Sequence, residues 1–151
     1  MKFPYSSIIS AAAGEGDFFV LRRPEVPVTI SGPGGSMTLI GLVDTGSDNT
    51  IFPRSVADYL QIPLRSEEGP SASAFGGQRI DLLTGDVVLS LEAEDGDGCA
   101  WPASVCFFEF ASTEEESVIL GHAGFLDFFT ATFDGKEAAL TLIANDLPTV
   151  T

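Results

Sequence analysis

The four consecutive residues Asp44-Thr45-Gly46-Ser47 are the part of this chain best suited to carry out chemistry, and no second such tetrad occurs. They directly follow the apolar segment from Met37 to Val43, which predicts a buried strand. A carboxylate in a tight turn at the end of such a strand is placed for reaction rather than for solubility. Hydrolysis by carboxylates needs one group that acts as a base and another that acts as an acid. Because Asp44 alone cannot fill both roles at once, we expect a second carboxylate, from elsewhere in the chain or from an identical copy.

The composition indicates one globular domain. The chain has 151 residues, of which 44% are hydrophobic, so a sizeable core can form but two well-formed lobes cannot. Its 16 Gly and 9 Pro suit short strands joined by tight turns. The net charge of −15 argues against nucleic acid or an anionic membrane as a partner, because the field would repel both. Two copies would carry twice −15, so any dimer must be held by apolar burial and backbone pairing.

The cysteines and the apolar runs give expectations about location. Cys99 and Cys106 have an odd separation, which places them on opposite faces if one strand carries both and disfavours a disulfide. Free thiols are consistent with a reducing compartment, and we expect a cytoplasmic protein. No run approaches the roughly 18–20 apolar residues of a membrane span. We interpret residues 1–25 as an N-terminal arm rather than a signal peptide, and residues 26–151 as the domain.

Strand and turn patterns predict a mainly β domain. A hairpin from Val26 to Val43, reversed by the glycine-rich residues 31–36, would deliver Asp44 at its end. One helix is predicted over residues 53–60, with proline at its start and with Val56, Tyr59 and Leu60 on one face. Further strands are predicted over residues 49–52, 86–91, 103–108, 117–120, 129–133 and 139–143, and a second hairpin over 73–80. This pattern favours a closed or sandwich-like β domain with one or two short helices.

Three segments occur in an order typical of one family: the tetrad Asp44-Thr45-Gly46-Ser47, the hairpin tip Ala74-Phe75-Gly76-Gly77, and Ile119-Leu120-Gly121. In these segments the chain resembles the retroviral-type, or retropepsin-like, aspartic proteases. The helix after the tetrad is more similar to their cellular and bacterial members. The resemblance runs from about Val26 to about Ile143. It implies a single-lobed acid protease fold, which is a closed β-barrel with one or two short helices.

The resemblance implies an aspartic endopeptidase that acts as a symmetric homodimer, with one Asp44 from each copy at the shared site. Two nearby carboxylates share one proton, as is known for aspartic proteases. The ionised one takes a proton from water, and the protonated one donates to the peptide carbonyl, so no metal and no cofactor are needed. The expected partners are a second copy and an extended polypeptide substrate. Residues 2–5 and 147–151 are candidate interface segments, although their prolines limit backbone pairing.

By the same resemblance, the neighbours of Asp44 have expected roles. Thr45 would reach across to the loop of the other copy, and Gly46 would let the two loops approach each other. Ser47 would hydrogen-bond the outer oxygen of Asp44 and favour its ionised form, which predicts an acidic pH optimum.

The resemblance also implies a substrate site. Asp48 and Asn49 match positions that bind the backbone of the substrate. Ala74-Phe75-Gly76-Gly77 matches the tip of a flap that closes over the peptide and excludes water, although a phenylalanine tip is a departure from the family's usual aliphatic residue.

Support for the site is expected from the last of the three segments. Ile119 and Leu120 would pack beneath the active-site loop, and Gly121 would permit close backbone contact. His122 stands where retroviral members carry an arginine, and we expect its protonated form to bond Asp48.

Other interpretations stay open. Asp44 could be a turn aspartate that bonds its own backbone, residues 73–80 could be an ordinary exposed hairpin, and His122 could be a purely structural histidine. The chain could also be a proteolytically silent dimerisation or peptide-binding module of the same fold. A phosphotransferase that uses Mg²⁺ is disfavoured, because the chain lacks a phosphate-binding glycine loop. Residues 94–98 hint at calcium, but Cys99 and Ala100 stand where an EF-hand loop needs a ligand and a glycine, so no metal is expected.

Overall fold

The computed structural model describes residues 1–11, 18–66, 72–74, 78–80 and 82–150. Strands account for 57% of the protein and helices for 9%, which confirms the prediction of a mainly β fold. The described strands are β1 (Lys2–Pro4), β2 (Ser6–Ala11), β3 (Phe18–Arg23), β4 (Glu25–Gly32), β5 (Gly35–Val43), β6 (Ile51–Pro53), β7 (Arg65–Ser66), β8 (Ala72–Ala74), β9 (Gln78–Ile80), β10 (Leu83–Glu92), β11 (Gly98–Phe108), β12 (Val118–Leu120), β13 (Phe129–Asp134) and β14 (Ala139–Ala144). The described helices are α1 (Arg54–Tyr59) and two 3₁₀ helices, Thr113–Glu115 and Leu126–Phe128.

Six strands close into a barrel, as predicted. The antiparallel hairpin of β4 and β5 begins the ring, and β5 pairs in parallel with β12. β12 pairs antiparallel with β6, and β6 pairs in parallel with β11. The long hairpin of β10 and β11 completes the ring, because β10 also pairs with β4. Closure leaves these strands without the free edges that would otherwise invite association with other chains.

The order of the strands around the barrel forces the chain into a loop at one end. β12 lies between β5 and β6, although residues 44–50 connect β5 directly to β6 in sequence. The connection must therefore pass around the end of β12 rather than turn back as a tight hairpin. Residues 44–50 contain the tetrad, so this strand order is what exposes it at the end of the barrel.

The interior of the barrel is filled by side chains at alternate positions along its strands. Trp101 in β11 is completely buried, and its ring contacts those of Phe125 and Phe129 at centroid distances of 5.9 and 5.1 Å. Its indole N–H donates to the Gly124 carbonyl at 3.0 Å, so the polar atom of this large side chain is satisfied. This cluster fixes the segment that follows β12 against the barrel. Cys99 and Cys106 lie on opposite faces of β11, as their spacing predicted.

The predicted helix is present as α1, but its buried face differs from the prediction. Val56, Ala57 and Leu60 are buried, whereas Tyr59 is 70% exposed. The helix is only six residues long, and its contacts with β6 and β11 cover the side that carries Val56 and Ala57. Tyr59 is therefore left on the solvent side.

The N-terminal residues form a strand within segment 2–5, the candidate interface segment, and a hairpin that the sequence patterns did not predict. β1 pairs with β14, which also pairs with β13, and Phe3 is buried in this second sheet. β2 and β3 form a hairpin that pairs with no other strand in the described part of the chain. All six residues of β3 are exposed, so no alternation of burial marks it as a strand. The described residues include no helix that is long and apolar enough to cross a membrane.

An ion pair joins β7 to β10 at the point where the chain approaches the second predicted hairpin. The guanidinium of Arg65 donates to the carboxylate of Asp86 at 2.9 and 3.0 Å and to the Ser104 hydroxyl at 2.9 Å. The hydrogen bond from Arg65 is the main cause that lowers the pKa of Asp86 below its usual value. The folded state is therefore stabilised above the ordinary pKa of an aspartate, and this contribution is lost as the pH falls through the lowered pKa.

We predict that Asp86→Asn lowers the melting temperature at pH 7 by at most about 3 °C, because an exposed pair contributes about 0.2–1 kcal/mol. Thermal melts of the wild type and the variant should differ at pH 6 and converge as the pH is lowered below 3.8, the ordinary value for this group. Asp146→Asn is the control, because Asp146 is exposed and makes no ion pair with a described residue. A difference that stays constant down to pH 2 would contradict the assignment of the ion pair.

Candidate active site

The backbone of Asp44 is held by β12. Val43 in β5 pairs with Leu120 in β12, and the amide N–H of the next residue, Asp44, donates to the Leu120 carbonyl at 3.0 Å. Val43 and Leu120 are buried, and Asp44 itself is half-buried. The buried strand pair thus fixes the point from which the side chain of Asp44 emerges.

The residues after Asp44 form a tight turn whose tip faces solvent. Asp44 Oδ1 accepts a hydrogen bond from the Gly46 amide at 2.8 Å, and the Asp44 carbonyl accepts one from the Ser47 amide at 3.2 Å. The turn interpretation considered from the sequence therefore describes a real contact. Oδ2 has no hydrogen-bond partner among the described residues, so it remains open to a ligand. Thr45 and Gly46 are exposed, which leaves the tip accessible to another molecule.

Ser47 does not make the contact expected of it. Its hydroxyl donates to the Asn49 carbonyl at 2.8 Å instead of to Asp44. A serine side chain readily bonds a backbone group two residues away, and this local partner satisfies the hydroxyl. The contact on which the expected acidic pH optimum was based is therefore absent from the folded chain.

The segment after β12 runs alongside the loop and is bonded to it through the backbone. The His122 amide donates to the Ser47 carbonyl at 3.0 Å, and the Ala123 amide donates to the Asp48 carbonyl at 2.9 Å. The Thr50 amide in turn donates to the Ala123 carbonyl at 3.1 Å. These bonds make the loop part of the barrel end rather than a free connection.

Gly121 lies where this segment comes closest to the loop. A Cβ atom at position 121 would stand 2.3 Å from the Asn49 carbonyl oxygen and 2.6 Å from that of Ser47. Both are backbone atoms fixed by the hydrogen bonds described above, so neither can move aside cheaply. The position therefore accepts glycine alone.

His122 contacts the tip of the loop and not Asp48 as expected. Its Nε2 atom lies 3.0 Å from the Thr45 carbonyl oxygen. A carbonyl oxygen only accepts hydrogen bonds, so Nε2 must carry a proton, which holds for one neutral tautomer and for the imidazolium alike. The backbone bond from His122 to Ser47 brings the ring beside Thr45, whereas Asp48 is exposed.

The other predicted site residues are placed as follows. Ile119 is half-buried and pairs with Leu42 in β5 and with Ile51 in β6, beneath the loop. Asn49 forms a single bridge with Ala123. Ala74 ends β8, which pairs with β9 as a hairpin. Phe75-Gly76-Gly77, the predicted flap tip, lies outside the described residues.

Thr50 is a residue that the sequence patterns did not single out. It is completely buried at the end of the loop, and its hydroxyl has no hydrogen-bond partner in the described part of the chain. Its backbone carbonyl accepts a bond from the Cys106 amide at 2.9 Å, which ties the loop to β11. The sequence feature that could have pointed to Thr50 is its position as a polar residue directly before the apolar strand β6. No group of three or more His, Cys, Asp or Glu residues among those described could hold a metal ion.

Comparison with known proteins adds little to this geometry. No protein-family model and no curated protein matches the sequence. Among solved structures, the chain is similar to the EIAV protease complexed with the inhibitor HBY-793, at 19% sequence identity and a TM-score of 0.42. The match covers 75% of this chain and 88% of that chain. A similarity this weak says nothing of the activity of the chain. The fold assignment rests on the strand order of the chain itself.

We predict that Gly121→Ala lowers the free energy of unfolding by about 3 kcal/mol, because the added methyl group must displace the backbone of the loop. Urea denaturation measures this change. Gly135→Ala is the matched control, since a Cβ atom at that position would meet nothing within 4 Å. Equal stability of the two variants would show that residues 47–49 are not packed against position 121.

We further predict that His122→Ala lowers the melting temperature by about 2–4 °C, through loss of a hydrogen bond that contributes about 1 kcal/mol. The loss should be the same in an Asp48→Asn background, because the bond runs to the Thr45 carbonyl and not to Asp48. His122→Gln, which keeps an N–H donor, should recover part of the loss. A loss that disappears in the Asp48→Asn background would instead support an ion pair between His122 and Asp48.

Proposed function

We propose that this chain is an aspartic endopeptidase of the retropepsin-like class, active as a homodimer in which the two Asp44 carboxylates share one water molecule. One observation carries the proposal. The Asp44-Thr45-Gly46 turn stands at the exposed end of a barrel strand, with Oδ1 of Asp44 held by the Gly46 amide and Oδ2 without a partner among the described residues.

The need for a second copy follows from the chemistry. Peptide hydrolysis requires a base to activate water and an acid to protonate the carbonyl oxygen. The exposed turn of one chain presents one carboxylate, and the exposure of Thr45 and Gly46 leaves room for the same turn of a twin. A two-fold arrangement would bring the two turns together, since residues at a two-fold axis meet their own copies. The two carboxylates would then titrate as a pair that shares one proton.

In this proposal the ionised Asp44 accepts a proton from the water, whose oxygen attacks the carbonyl carbon of the peptide bond. The protonated Asp44 of the twin donates its proton to the carbonyl oxygen, which gives a tetrahedral diol. One diol hydroxyl then gives its proton to the ionised Asp44 of the twin, the leaving nitrogen takes the proton that the first Asp44 accepted from the water, and the carbon–nitrogen bond breaks. One water is consumed, the pair again holds one proton, and no bond forms between substrate and protein. The bond from Gly46 holds each carboxylate in a fixed orientation, which is the main requirement for such transfers.

The proposed substrate is an extended polypeptide that lies across the two turns. Asp48 is exposed, and its carboxylate makes no hydrogen bond or ion pair with another described residue, so it is available to the backbone of a peptide. We assign Asn49 and the segment Ala74-Phe75-Gly76-Gly77 to the same role. The division into an arm of residues 1–25 and a catalytic domain of residues 26–151, and a cytoplasmic location, belong to this proposal.

A second candidate is a proteolytically silent module that dimerises or binds peptides. The hydrogen bond from Gly46 to Asp44 favours it to some extent, because Asp134 makes the same kind of turn contact with the amides of Lys136 and Glu137. A structural turn alone therefore accounts for one oxygen of Asp44. Asp134 also has no partner for its second oxygen among the described residues, so the distinction lies in position: Asp44 follows a buried strand pair at the end of the barrel, where its amide donates to the Leu120 carbonyl at 3.0 Å.

We predict that Asp44→Asn reduces peptide cleavage at least about a hundredfold, because it removes both the base and the acid of the pair. The fold should be kept, since the amide oxygen of asparagine can still accept the bond from Gly46. The measurement is cleavage of a mixed peptide library from pH 4 to 7, read by mass spectrometry, with and without pepstatin.

The matched control is Asp134→Asn, which makes the same change in a comparable turn away from the site. Cleavage lost with Asp44→Asn and kept with Asp134→Asn supports the endopeptidase. A wild-type protein that cleaves no peptide, or an Asp44→Asn variant that cleaves normally, would leave the silent module as the better description.

A further inference from the structure

The hairpin of β2 and β3 exposes an unusual amount of apolar surface. Six of its large apolar side chains are between 39% and 72% exposed: Ile8, Ile9, Phe18, Phe19, Val20 and Leu21. The hairpin pairs with no other strand among the described residues. A two-stranded hairpin is at best marginally stable in water without a further strand or a packed face. An exposed apolar patch of this kind is typical of a surface that another molecule covers.

The apolar residues occupy both faces of the hairpin. Ile9 lies directly opposite Val20, and Phe18 shares their face because side chains alternate along a strand. Ile8 and Leu21 form a pair on the other face. Ile9, Phe18 and Val20 are the more exposed set, and we call them the outer face of the hairpin.

The hairpin leaves the barrel beside the candidate active site. β3 ends one residue before Pro24, whose carbonyl accepts a hydrogen bond from the Val43 amide at 2.9 Å. Val43 is the residue immediately before Asp44. A molecule held by the hairpin is therefore held close to the base of the strand that presents Asp44.

The distribution of charge along the chain bears on which molecule covers the hairpin. Residues 1–25 contain three basic and three acidic side chains, so the whole net charge of −15 belongs to residues 26–151. Two copies repel each other through their acidic barrels but not through their hairpins. Arg22 in β3 has no ion-pair partner in the described part of the chain, whereas Arg23 lies 3.9 Å from Glu25. An unpaired arginine at the hairpin base suits a partner whose barrel is strongly acidic, which is the character of this chain itself.

We propose that the β2–β3 hairpin is the surface through which two copies of this chain associate, outer face against outer face about a two-fold axis. Such a contact uses the same patch on both copies and closes at two. The inference rests on the proposed function, because a shared site needs a twin, and it names the surface that brings the twin to Asp44. An anionic membrane is a less suitable occupant, since it would repel the acidic barrel.

The test compares dimer dissociation constants of the full chain by sedimentation velocity. Replacing Ile9 and Val20 by serine should raise the dissociation constant at least about a hundredfold, because both side chains are lost from each copy. Ile143→Ser is the matched control, since Ile143 is 60% exposed in β14, and the pairing of Lys2 with Thr141 and of Pro4 with Ala139 puts it at the end of β14 away from the hairpin. A wild-type monomer at all concentrations, an unchanged constant in the double variant, or an equal effect of Ile143→Ser would overturn the proposal.

A second measurement does not depend on weakening the fold. Under mild oxidation, Val20→Cys should form a disulfide-linked dimer faster than Ile143→Cys, since the proposed contact packs the outer faces of the two hairpins, which carry position 20, against each other. Equal or slower cross-linking of Val20→Cys would overturn the proposed contact. Hairpin-dependent flotation of the wild type with lipid vesicles, in the absence of a dimer in solution, would assign the hairpin to a membrane and would likewise overturn it.

Failure of this inference can be told apart from failure of the proposed function. In one outcome the wild type forms a dimer that the Ile9→Ser, Val20→Ser variant does not form, but the wild type cleaves no peptide. This result would uphold the hairpin contact and refute the endopeptidase. A protein whose cleavage depends on Asp44 but not on the hairpin would uphold the endopeptidase and refute the contact.

Discussion

The pairing of β12 between β5 and β6 is the constraint on which the candidate site depends. Without it, residues 44–50 would be an ordinary connection between two neighbouring strands. With it, the chain must pass around the end of β12, and the Asp44 amide meets the Leu120 carbonyl at 3.0 Å. The position of the carboxylate is thus determined by a strand that lies far away in sequence. The pairing is held firmly at this point, because Val43 and Leu120, which lie opposite each other, are both buried.

Close packing extends the same constraint to the residues around the loop. A Cβ atom at Gly41 would stand 2.7 Å from the side chain of Leu120, and one at Gly121 would meet the carbonyls of Ser47 and Asn49. Glycine at these two positions lets β5, β12 and the loop approach within contact distance. Two of the segments that carried the family resemblance, the tetrad and Ile119-Leu120-Gly121, therefore lie where the structure leaves little room for side chains between them. This explains in physical terms why glycine follows Ile119-Leu120 in the pattern.

Most of the barrel could be predicted from the sequence, because its strands alternate buried and exposed residues and are separated by glycine-rich turns. The hairpin of β2 and β3 could not, because its apolar residues face solvent and follow no pattern of burial. The expected partners of Ser47 and His122 were wrong for two other reasons. The Ser47 hydroxyl bonds the Asn49 carbonyl, a backbone acceptor only two residues away. The partner of His122 depends on the backbone register between the loop and residues 121–123, which is set by β12.

The uneven charge of the chain links association to the proposed activity. An acidic barrel keeps separate molecules apart, so two copies approach closely only where the charge is balanced and apolar surface can be buried. In the proposed dimer this condition is met at the hairpin, which ends one residue before Pro24, whose carbonyl accepts the hydrogen bond from the Val43 amide. In that dimer each barrel would supply one of the two carboxylates. The hairpin contact would then set the activity at a given concentration, since a carboxylate pair forms only in the fraction of molecules that have associated.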